Sequence, residues 1–152
     1  MHEGTHALIR NMIGKHPAPP WYDEGLATYL QFWDLRGDLK KNLASRYGRS
    51  FYRKHLSDHC LKDPKKEVSL TRLAGVGADQ WNPDQMGPAA AHNYAQAENL
   101  IDFLLATDKN KLIFNRISAS ISSGKGSGQL FSPEEIKGLE PLWRESMAKV
   151  SK

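Results

Sequence analysis

The chain has 152 residues, 39% of them apolar and 25% charged, an ordinary composition for one globular domain with a modest core. No apolar run approaches the about 18 residues of a membrane-spanning helix, and the first ten residues carry His, Glu and Arg where a secretory signal would be apolar. The net charge of +4 is a mild bias, concentrated in residues 36–66, and the lone Cys60 excludes an internal disulfide.

The first predicted element is "HEGTHALIRNMIG", a helix with Leu8, Ile9, Met12 and Ile13 at helical spacing and Gly14 as its stop. "KHPAPP" breaks it, since consecutive prolines cannot continue a helix. Pro20 then suits the first turn of a second helix, "WYDEGLATYLQFWDL", with Asp23 and Glu24 near its positive end. In the basic stretch that follows, Leu39, Leu43, Tyr47, Phe51 and Tyr52 predict one or two further helices ending near Asp63 and Pro64. Residues 67–91, rich in Gly, Pro and Asp, read as a long, partly structured loop of the kind that often carries function.

"HNYAQAENLIDFLLATD" and "KNKLIFNRISASIS" are again helical, with "SGKGSGQ" as a flexible connector. In the last helix, "SPEEIKGLEPLWRESMAKV", Ser132 is the N-cap, Pro133 stands at the first turn and Glu135 completes a capping box. There is no internal repeat and no convincing strand, so the expected fold class is mainly α.

The chemistry concentrates at the start. His2 and His6 are four apart, so on a helix both imidazoles project from one face and suit two ligands of a tetrahedral zinc. Glu3 lies beside them, where a carboxylate can reach a water on the metal without binding the metal itself. A third ligand is available in Glu24, eighteen residues after His6 and just past the proline turn, which sends its helix back alongside the first. Small Gly25 and Ala27 would let those two helix backbones approach. The alternative is that Asp23 and Glu24 only complement the helix dipole.

"HEGTHAL" followed by "PPWYDEGLATYL" resembles the gluzincin zinc metallopeptidases, and most closely the peptidase-MA-like domains, many of them bacterial and uncharacterised. "YAQAENLIDFLL" and "GLEPLWRESM" resemble downstream helices of the same domains, although only the first thirty residues are specific. The resemblance implies that His2, His6 and Glu24 bind Zn2+ and that Glu3 is the general base. It also implies a donor for the developing oxyanion: Tyr94 by analogy with aminopeptidases, or His92, as other gluzincins use histidine. Each has a plainer alternative, Tyr94 as a core aromatic and His92 as a surface residue.

Zincin-type peptidases place a small sheet ahead of the motif helix, and its edge strand holds the extended substrate by strand addition. Nothing but Met1 precedes His2. Residues 1–152 are therefore expected to be a single helical zincin-like catalytic-domain fragment of a longer protein, the sheet missing, acting on a peptide or protein. By resemblance alone the parent is expected in the cell envelope or exported. A catalytically inactive scaffold for protein interaction is the other expectation.

Two further patterns are weaker. His55, His59 and Cys60 form a second possible metal cluster, but no fourth partner is evident and Lys54 and Lys62 oppose a cation, so an exposed polar face and a small buried thiol are the simpler reading. Arg46, Tyr47, Arg49, Phe51, Tyr52, Arg53 and Lys54 interleave charge and aromatics as single-strand platforms do. Tyr47 and Phe51, four apart, instead suit a core-facing stripe, and nucleic acid is not expected as a partner.

Overall fold

The computed structural model of the chain describes residues 2–31, 51–62, 68–82 and 87–150. In chain order these form helices α1 (His2–Ile13) and α2 (Pro20–Gln31), a π-helical turn at Leu56–Cys60, α3 (Leu70–Gly75), a 3-10 turn at Ala78–Trp81, α4 (Pro88–Leu105), α5 (Asp108–Ser122), a 3-10 turn at Ser127–Gln129, and α6 (Pro133–Val150). Among the described residues there is no strand, and the fold is mainly α.

The helix ends have local causes. Gly14 takes φ 81°, a left-handed conformation that glycine adopts without strain, and its N–H closes α1 on the Arg10 carbonyl. Pro20 opens α2, and the N–H groups of Tyr22 and Asp23 are satisfied by the Pro19 carbonyl. Ser69 and Thr107 cap α3 and α5 through their hydroxyls. The capping box of α6 forms in both directions: Ser132 Oγ accepts from the Glu135 N–H at 3.1 Å, and Glu135 Oε2 accepts from the Ser132 N–H at 2.9 Å.

Helix α4 is the centre of the packing, touching α2, α3, α5, α6 and the turns at Leu56–Cys60 and Ala78–Trp81. Helix α2 lies between α4 and α1 and is buried along most of its length, including Trp21, Tyr22, Leu26 and Thr28. Gly25 sits hard against α4: a Cβ there would stand 2.9 Å from the Ala97 carbonyl oxygen. The sequence reading expected Gly25 to draw α2 toward the first helix; its small size instead serves the contact with α4.

Other expectations shift similarly. Phe51, expected on a core-facing stripe, is 58% exposed and stacks edge-on against the half-buried Tyr52. Leu39, Leu43 and Tyr47 lie outside the described residues. The predicted loop holds α3 and a 3-10 turn because Val68, Leu70, Leu73 and Trp81 are core residues. Its Gly and Pro spacing hid that short amphipathic pattern. Helix α4 starts at Pro88, ahead of the expected His92, with Pro88 in the first turn where its missing N–H does no harm. The connector after α5 includes a 3-10 turn anchored by Ser127 Oγ on the Ala74 carbonyl.

Candidate metal centre

The Pro19–Pro20 turn folds α2 back on α1, and this brings Glu24 to the histidine pair. His2 Nε2 lies 3.3 Å and His6 Nε2 3.7 Å from Glu24 Oε2, and one donor atom from each residue falls within 4.8 Å of the others. Donors around a tetrahedral zinc with bonds of about 2.0–2.1 Å stand about 3.4 Å apart. The spacing therefore fits a zinc ion with little movement, and the donor set of two imidazoles and a carboxylate suits zinc chemically. The imidazole rings are nearly perpendicular, with centroids 4.7 Å apart, so their nitrogens converge without the rings stacking. All three side chains are partly buried, which leaves room for a fourth position open to solvent.

Asp23 has a role that sequence reasoning assigned only to the helix dipole. Its Oδ1 accepts from His6 Nδ1 at 2.9 Å, which fixes the tautomer and aims the Nε2 lone pair toward Glu24 and His2. Adjacent residues near the start of α2 thus act on opposite nitrogens of one imidazole. An acidic pair, rather than a single acid, eighteen residues past the motif was the available signal. Glu3 follows His2 on α1 and is exposed, close enough for its charge to act on the Tyr94 phenol.

The structure separates the two candidates for oxyanion donor. The Tyr94 phenol lies close enough to the Glu24 carboxylate to feel its charge, and its ring packs edge-on against Trp81. Burial raises its pKa most, and the Glu24 carboxylate adds to the shift, with smaller effects from Tyr52 and Glu3. The phenol therefore stays protonated, as a donor must. His92, two positions earlier on α4, is held elsewhere. Its Nε2 is 2.7 Å from Gln96 Nε2 and its Nδ1 3.5 Å from Cys60 Sγ.

Gln96 belongs to a buried polar network. Its carbonyl and that of Asn93 accept from Arg72, and the Asn93 amide donates to the Gln80 carbonyl. These bonds tie α4 to α3 and to the 3-10 turn at Ala78–Trp81, and so set the face that carries Tyr94. Cys60 is fully buried, as expected of it, but its sulfur is also hydrogen-bonded by the Gln96 amide at 3.5 Å. His55, His59 and Cys60 do not converge as His2, His6 and Glu24 do; among the described residues only the latter group has metal-site spacing.

Tyr52 is the residue that sequence reading missed. The sequence places it in a predicted helix and in the basic, aromatic stretch; in the fold it borders with His2 and Tyr94 a cavity of about 330 Å³. Burial raises the Tyr52 pKa most, with the charges of Glu98 and Glu24 adding to it. From the predicted loop, Gly87 and Ala91 reach this cavity. No helix of the described residues is long and apolar enough to cross a membrane. The chain matches no family model, no curated protein and no solved structure.

Proposed function

We propose that the chain carries the zinc centre of a metallopeptidase of the gluzincin type, exported or in the cell envelope, that cleaves peptides or proteins. The observation that carries this reading is the convergence of His2, His6 and Glu24, with Asp23 bonded to the far nitrogen of His6. Three protein ligands and a free fourth position are the catalytic arrangement, whereas structural zinc sites are closed by a fourth protein ligand.

When bound, zinc polarises the scissile carbonyl and acidifies a water molecule. His2, His6 and Glu24 hold the ion. Glu3 takes the proton from the attacking water and delivers it to the leaving amine. Tyr94 donates its phenol hydrogen to the carbonyl oxygen as negative charge builds there. Asp23 keeps His6 in the ligating tautomer.

Zinc content per chain, measured on protein purified without added metal, tests the centre. About one equivalent in the parent and none in Glu24→Ala is the expected result. Hydrolysis of an unfolded protein substrate that depends on both zinc and Glu3 then tests the activity. Zinc retention without hydrolysis in an extended form of the chain would transfer the site to an inactive interaction scaffold. No zinc in the parent would remove the reading.

A further inference from the structure

The turn at Leu56–Cys60 is π-helical, closed by the Leu61 N–H on the Leu56 carbonyl at 3.0 Å. Such turns are rare and recur at functional sites. In an α-helix the fifth residue after His55 would swing away from it, whereas the wider turn brings Cys60 back toward that side. The His55 and His59 rings have centroids 4.6 Å apart. Helix α4 adds His92, its ring 5.7 Å from that of His55 and its Nδ1 and Nε2 at 3.5 and 3.9 Å from Cys60 Sγ. His92 is thus the fourth partner that the sequence alone did not offer to His55, His59 and Cys60.

Sulfur and nitrogen ligands with metal bonds of about 2.3 and 2.0–2.1 Å stand about 3.6 Å apart at a tetrahedral angle and about 3.8 Å at a trigonal one. Cys60 and His92 already have that spacing, and His55 must turn its ring inward to join them. The Gln96 carbonyl is fixed on Arg72, so its amide donates to His92 Nε2 at 2.7 Å. That nitrogen therefore presents a lone pair, which an ion can take in exchange for the amide proton. His55 Nε2 is buried with no hydrogen-bond partner among the described residues, an orphan that calls for an occupant. Burial, and then His59 and His92, lower the His55 pKa and keep its imidazole in the neutral, ligating form.

Ligand type and charge select the ion. A soft thiolate beside imidazoles suits zinc or copper(I). With neutral imidazoles the thiolate supplies one negative charge. Zinc would leave a net positive charge at a fully buried sulfur, with Arg72 just behind Gln96. Copper(I) leaves none. Lys54, which the sequence set against a cation, is engaged by Asp58 at 2.7 Å.

We propose that Cys60, His92 and His55 form a copper(I) site, separate from the centre of His2, His6 and Glu24. The exposed His59, stacked beside the half-buried His55, is its entry from solvent. On binding, the Cys60 thiol gives its proton to water as the copper–sulfur bond forms, and no electron moves. The site does not depend on the metallopeptidase reading.

The test titrates copper(I), anaerobically and with ascorbate, into the zinc-loaded full chain against a chromophoric copper(I) chelator. One copper per chain is expected, with the zinc retained. Cys60→Ser and His55→Gln should each weaken copper affinity at least about tenfold, the cost of losing even an outer partner of a metal site. His55→Gln, at a half-buried position, reads the site without disturbing the packing of the sulfur. Glu24→Ala, which removes a zinc ligand, should leave copper affinity unchanged. X-ray absorption at the copper edge should show one sulfur and nitrogen neighbours, with the sulfur lost in Cys60→Ser. No copper held against the chelator overturns the site. So does copper lost in Glu24→Ala but unmoved by Cys60→Ser and His55→Gln, and so does a second zinc at Cys60 that copper fails to displace.

Discussion

Asp23 and His6 are joined by a 2.9 Å hydrogen bond between Oδ1 and Nδ1, while the next residue, Glu24, faces the same histidine's Nε2. The start of α2 therefore supplies a candidate ligand and the group that orients another ligand. Removing the orienting carboxylate should leave the three donors in place but loosen one of them. Asp23→Ala is expected to weaken zinc affinity about 10- to 100-fold without changing the one-to-one stoichiometry at saturating metal. Competition against a chromophoric chelator measures this. An unchanged affinity would mean that the Asp23 bond holds only the apo histidine.

Tyr94 tests whether the phenol acts in the chemical step or only in packing. Its ring packs on Trp81 and its hydroxyl feels the Glu24 charge, so Tyr94→Phe keeps the ring contact and removes the donor. Zinc content should be unchanged. In a form of the chain that hydrolyses peptide, kcat should fall about 10²- to 10³-fold with KM little altered. An equal loss from His92→Ala, with Tyr94→Phe harmless, would move the donor role to the histidine now held by Gln96 and Cys60.

Gly25 is constrained by distance rather than by backbone conformation. Its Cβ position stands 2.9 Å from the Ala97 oxygen and 3.0 Å from the Ala97 carbonyl carbon, both backbone atoms that cannot swing aside. Gly25→Ala must push α2 off α4, at a cost of about 1–3 kcal/mol. Because Glu24 is the adjacent residue, the same shift should weaken zinc binding. Gly14→Ala makes a useful contrast, since a Cβ there meets nothing within 4 Å and its strain comes from φ 81° alone. Denaturant midpoints of the two variants, with and without zinc, read both effects: only Gly25→Ala should lose part of the stabilisation that zinc confers.

The parts of this molecule that were legible in the sequence are those fixed by local chemistry. His2 and His6 share a helix face whatever the rest of the fold does, and the capping box at Ser132 is written within four residues. Glu24 was legible because a proline turn and a short helix leave little freedom in where it can go. Asp23 and Tyr52 were not, because their roles depend on which side of a helix meets which neighbour. Asp23 needs α1 at a given distance, and Tyr52 needs the packing of its turn beside α2 and α4. Helix α3 was hidden for another reason: six residues ending in Gly75 carry too short a pattern to stand out, and its helical state depends on tertiary contacts, including the Glu140 carboxylate accepting from the Leu70 N–H.

His55 gives the pH dependence its sign. Burial lowers its pKa from the ordinary 6.5, the neighbouring His59 and His92 lower it further, and Asp58 opposes them only in part. The folded chain thus prefers His55 neutral, while the unfolded chain protonates it near 6.5. This stabilisation is fully present above that pH and is lost as the pH falls from there through the depressed folded value. Its Nε2 is buried without a hydrogen-bond partner, so protonation would place an unpaired charge beside two other imidazoles. The thermal midpoint of the chain, kept metal-free with a chelator so that zinc release does not contribute, should drop as pH falls from 7 to 5.5. His55→Gln, neutral throughout, should flatten that drop. An identical slope in parent and variant would assign the acid sensitivity to groups other than His55.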